Sequence, residues 1–132
     1  MGSAALPLVP VFVLCAGASF GTLARWQLSL WLNSGGTWMP IGTLVANLVG
    51  GYLIGVLIGV FNAQPGIDPL WRLALITGFL GALTTFSTFS AETVQLLLQE
   101  RFAQALALAG LHLVGSLALT WFGLRCAQWL MR

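Results

Sequence analysis

Four long apolar stretches joined by short connectors leave this chain few ways to fold. A helix needs about 20 apolar residues to cross a hydrocarbon core of ~30 Å. The first stretch runs from about Leu6 or Val9 to Leu32 and the second from about Pro40 to Phe61. The third runs from about Trp71 to Leu98, and the fourth from about Phe102 to Leu124 or beyond. The connectors, residues 33–39, 62–70 and 99–101, hold between them the Asn, Gly, Pro and Asp that punctuate helices. Pro40 is well placed for a helix start.

Composition excludes the soluble alternative. The 132 residues are 58% hydrophobic and 6% charged, against roughly 25% charged in a soluble domain. The expected fold is therefore an all-α membrane protein: one transmembrane domain of four helices over residues 1–132. Any pore, gate or binding site must lie within the bilayer. The N-terminus lacks the basic region of a signal peptide and its apolar run is too long for one, so it is expected to be a first membrane helix. Net charge is only +2, too small and too scattered for nucleic-acid binding. Cys15 and Cys126 have no CxxC spacing and read as small apolar residues within the membrane. Trp26, Trp31, Trp38, Trp71, Trp121 and Trp129 fall near segment ends, as an interfacial belt would.

Four spans place the N-terminus, the second connector and the C-terminus on one side, with Arg72, Arg125 and Arg132. Arg101 lies on the other side, joined by Arg25 if that residue reaches the interface. So weak a bias allows insertion in both orientations, or one topology that charge alone does not resolve.

The most unusual stretch is GFLGALTTFSTFSAE, residues 78–92. Seven consecutive hydroxyl or phenyl side chains, Thr84 to Ser90, follow Gly78 and Gly81, and the carboxylate of Glu92 comes after them. A straight helix from Trp71 to Leu98 would be roughly 42 Å long, more than the core requires. It must tilt, overhang or break, and the glycines and Thr84–Thr85 favour a break between Gly81 and Thr85. A break frees carbonyls that must be satisfied inside protein, a small cation being one solution. Phe86 and Phe89, three residues apart, share one helical face, and their electropositive ring edges beside hydroxyls could solvate an anion.

Other polar positions follow helical spacing. Thr43, Asn47, Gly51, Gly55 and Gly59 repeat every four residues, the glycines as a packing seam. Asn47 is either an interhelical strut or a donor lining a pore. His112, Ser116 and Thr120 form a stripe on the fourth segment, either bonding a neighbouring helix or lining a path. Gly17 and Gly21 permit close helix contact, and Arg25 either snorkels beside Trp26 or draws anions to a vestibule. Asp68, Glu92 and Glu100 are too dispersed to form a catalytic group, and enzyme activity is not expected.

Together the 78–92 run, the preceding GTLVANLVGGYLIG and the ARW triplet after the glycines of the first segment resemble the Fluc (CrcB-type) family of fluoride channels. The resemblance covers essentially the whole chain. It implies a third helix broken near its middle and an antiparallel, dual-topology homodimer in the bacterial inner (plasma) membrane. Two pores would carry fluoride out passively. It assigns Asn47, Phe86, Phe89, Thr43 and Ser116 to the pore and Arg25 to a vestibule. It also implies a structural Na+ on the backbone carbonyls of Gly81 and Thr84, at the centre of the dimer. His112 stands where a small hydroxyl residue would be expected, and is placed in the pore with the rest. The rival readings are a small four-helix proton-coupled multidrug exporter, for which Glu92 is the available carboxylate, and a membrane assembly protein that transports nothing.

Overall fold

The computed structural model describes residues 7–132, so a helix start at Leu6 lies outside the described residues. Within them, four helical stretches are long and apolar enough to cross a membrane: Leu8–Leu32, Ile41–Ala63, Pro69–Leu98 and Phe102–Leu130. The first two are continuous, α1 (Leu8–Leu32) and α2 (Ile41–Ala63). The third is interrupted, giving α3 (69–83) and α4 (Phe86–Leu98), and the fourth is α5 (Phe102–Leu130).

Local chemistry sets most of the boundaries. Pro40 sits just before α2 rather than as its first residue, and its carbonyl accepts from Leu44 N–H at 3.2 Å. The Asp68 carboxylate caps α3, accepting from Leu70 N–H at 2.8 Å, and Pro69 fills the first turn where its missing N–H costs nothing. α2 runs on through Asn62 and Ala63, so the second connector narrows to residues 64–68. α5 continues to Leu130, which leaves Trp121 well inside the helix and Trp129 at its end. The turn from α4 to α5 closes with Glu100 at φ 58° and Arg101 N–H on the Leu96 carbonyl at 2.9 Å, a C-terminal cap normally given to glycine.

The break falls at Thr84 (φ −83°, ψ 153°) and Thr85 (φ −149°, ψ 114°), both extended. Ahead of it lies a feature that sequence spacing does not announce. Residues Leu73–Leu80 form a π-helix, and Gly81 N–H reaches back five residues to the Ile76 carbonyl. Such wide turns are rare and concentrate near functional sites.

α2 packs mainly on α5, and α1 mainly on α3. Both seams depend on bare backbone. A Cβ at Gly55 would collide with the Thr120 carbonyl, and one at Gly21 with the Phe79 carbonyl. Ala46, Leu80 and Leu83 form one buried cluster between α2 and α3, and Leu96, Ala105 and Leu108 a second between α4 and α5. Large side chains such as Phe12, Phe20, Leu106 and Leu113 stay exposed around the outside, as lipid requires of a membrane-spanning bundle.

Candidate functional site

The interruption of the third span is stabilised from α2. Asn47 faces it across the bundle and pairs with Thr85 at both ends of its amide. Its Nδ2 donates to the Thr85 carbonyl at 3.0 Å, and its Oδ1 accepts from the Thr85 N–H at 2.7 Å. One side chain thus satisfies both main-chain groups of an extended residue that has left helical geometry. The pairing has a second effect. In an unbroken α-helix the Thr85 N–H would bond the Gly81 carbonyl; here it is drawn to Asn47 instead. Thr84 closes the turn before the break, its N–H and hydroxyl both on the Leu80 carbonyl at 3.0 and 2.9 Å. Thr85 opens the next helix, its buried hydroxyl accepting from Thr88 N–H at 3.1 Å and lying 3.0 Å from Thr88 Oγ1.

A groove of about 450 Å³ runs beside this junction. Asn47, Gly81, Thr84, Phe86, Phe89, His112 and Ser116 all line it, so seven side chains or glycines drawn from α2, the broken helix and α5 converge on one space. An aromatic ladder climbs one wall. Phe86 is 79% exposed and meets Phe89 edge to face, with centroids 5.5 Å apart at 67°. Phe89 in turn stacks on the His112 ring at 4.6 Å and 29°. His112 itself is buried, and its Nδ1 lies 3.0 Å from Asn47 Nδ2. Ser116 follows one turn along α5.

Four positions singled out in the sequence, Thr43, Glu92, Thr120 and Arg25, sit elsewhere. Thr43 is buried away from the groove lining and donates its hydroxyl to Glu92 Oε1 at 2.6 Å, while Glu92 Oε2 is buried with no partner among the described residues. Glu92 lines a separate polar pocket of about 320 Å³ between the α1–α2 connector and the α4–α5 turn, with Arg101 at the same pocket. Thr120 turns its hydroxyl to the Gly51 and Ser116 carbonyls at 2.9 and 2.8 Å, so the α5 stripe ends in a strut of the α2–α5 seam. Arg25 is partly buried on α1 and borders neither space. Spacing alone also missed the roles of Thr85 and Glu92. For Thr85, the one available signal is a threonine three residues before Thr88, the position of a helix cap. Nothing in the sequence links Thr43 to Glu92 beyond their shared polarity.

These elements define a class: a small, four-span membrane protein whose third helix breaks beside a polar and aromatic groove. The sequence matches the family described as CrcB-like protein, Camphor Resistance (CrcB), over residues 12–124. It is 59% identical over 124 residues to a protein of Albidiferax ferrireducens named fluoride-specific ion channel FluC, covering 94% of this chain and 95% of that one. A protein of the same name from Variovorax paradoxus is 60% identical over 121 residues, 92% of this chain and 96% of the relative. One from Chromobacterium violaceum is 52% identical over 122 residues, 92% and 97% of the two chains. The chain belongs to the CrcB family.

Proposed function

We propose that this protein is a fluoride-selective channel that lets F− leave the bacterial cytoplasm passively across the inner membrane and so lowers cytoplasmic fluoride. The observation that carries the reading is the combination of near-full-length identity to proteins named fluoride-specific channels with a groove lined by hydroxyls, an imidazole and phenyl edges. Fluoride is small and strongly hydrated, so passage requires donors that replace its water. The hydroxyl of Ser116 and the edges of Phe86 and Phe89 suit that task. Arg25 would concentrate anions at a mouth and Thr43 would belong to the approach, beside Glu92.

The active unit is an antiparallel, dual-topology homodimer with two pores and one transmembrane domain per subunit. The weak bias in arginines between the two sides supports this reading. So does the open flank of the groove, where Phe86 stands exposed and a second copy would complete the wall. The donor set at the break suits a structural Na+. Among the described residues no three His, Cys, Asp or Glu side chains gather, so a cation must be held by other oxygens. Asn47 releases the Gly81 carbonyl from helical bonding, and Gly81 and Thr84 both border the groove. Their carbonyls would hold Na+, which would supply fixed positive potential beside the anion path.

A proton-coupled drug exporter would need a carboxylate open to substrate. Glu92 is engaged by Thr43 and does not line the large groove, which disfavours that rival. Purified protein in liposomes loaded with fluoride is expected to release it, as read by a fluoride electrode, and to retain chloride under the same gradient. Equal release of both ions, or of neither, would overturn the reading.

A further inference from the structure

The hydrogen-bond pattern around Asn47 determines more than its own role. The amide orientation is fixed, because Oδ1 must face the Thr85 N–H and Nδ2 the Thr85 carbonyl. Asn47 has two N–H donors. One goes to Thr85 O, and the other meets His112 Nδ1 at 3.0 Å. A nitrogen that faces a donor must accept, so Nδ1 carries no proton. The neutral imidazole then carries its proton on Nε2. That nitrogen is buried and has no hydrogen-bond partner among the described residues, in a side chain only 4% exposed that lines the groove. A buried N–H left unpaired is costly and rare, and in a residue that borders the groove it marks a place for an acceptor. Asn47, by contrast, has no donor left to offer.

We infer that His112, locked as the Nε2–H tautomer by Asn47 and clamped against Phe89, presents the N–H that receives fluoride in the groove, and that Asn47 is a positioning residue. The inference rests on the channel reading above. It reassigns the amide and imidazole: the side chain that interrupts the hydroxyl stripe is the direct ligand, and the asparagine aims it. The Phe89 ring holds the imidazole plane, and Ser116 one turn away is the next donor along the same wall.

The chain contains one histidine, so ¹⁵N-histidine labelling reports a single imidazole. In bilayers the spectrum is expected to show a protonated Nε2 and a bare Nδ1. The Nε2 signal should shift on addition of sodium fluoride and not of sodium chloride. Parallel efflux measurements use two variants. His112→Asn keeps an acceptor near the place of Nδ1 and removes the Nε2 donor; efflux should fall roughly tenfold or more, the loss expected for one hydrogen bond to an ion. His112→Gln returns an N–H near the place of Nε2 and should recover part of the flux. An Nδ1-protonated ring, an Nε2 signal blind to fluoride, or wild-type efflux from His112→Asn would overturn the inference while wild-type conduction stood. Absence of fluoride efflux from the wild-type protein would instead defeat the channel reading on which it rests.

Discussion

The two halves of α2 share one four-residue spacing and use it in opposite ways. From Gly51 to Gly59 the repeated face is bare backbone, closed against α5 so tightly that a single Cβ at Gly55 would strike the Thr120 carbonyl. At Thr43 and Asn47 the same face carries side chains that reach away, to Glu92 and to Thr85. One half removes space and the other supplies hydrogen bonds to a neighbour that has lost its own. Periodicity says only that these residues share a face. Side-chain chemistry decides whether that face becomes a seam or a site.

The contrast can be broken by exchanging what each half provides. Asn47→Leu should have the largest effect. It strands the Thr85 N–H, the Thr85 carbonyl and His112 Nδ1, at about 1–3 kcal/mol for each buried group left unpaired. Thermal unfolding in detergent should drop steeply and fluoride efflux should be lost. Gly55→Val should cost about 3 kcal/mol, the upper part of the overpacking range, because backbone rather than a flexible side chain opposes the new Cβ. Size-exclusion chromatography should show aggregated or poorly folded protein.

Thr43→Val sharpens the comparison at the polar end. It leaves Glu92 with neither oxygen partnered, and should lower stability by about 1–3 kcal/mol, read by the same unfolding measurement. Thr120→Val tests the seam from the other side. Its hydroxyl only braces the Gly51 and Ser116 carbonyls, so a loss of about 0.5–1.5 kcal/mol is expected, with fluoride efflux unchanged.

How much of this was legible in the sequence varies with the range of the interaction. The four spans, the break near Thr84 and the shared face of Phe86 and Phe89 follow from local composition and helical spacing, and the structure has them. The π-helix over Leu73–Leu80 does not follow, because an i to i+5 bond leaves no compositional mark in a run of ordinary apolar residues. The partners of Asn47 and Thr43 were hidden for a different reason. Asn47 meets Thr85 across 38 positions and His112 across 65, and Thr43 meets Glu92 across 49. Such pairs depend on how helices dock, which spacing within one helix does not encode. The sequence left Asn47 as either a strut or a donor. In the structure its amide is fully engaged, and the exposed chemistry of the groove passes to its neighbours.

The most direct test is the initial rate of fluoride efflux from liposomes, compared among wild-type protein, Asn47→Leu and Thr120→Val at equal reconstituted amounts. If the Asn47 half of α2 builds the conducting site and the glycine half only holds the bundle, wild type and Thr120→Val will release fluoride at the same rate and Asn47→Leu will not release it. Efflux from Asn47→Leu at the wild-type rate would contradict the account.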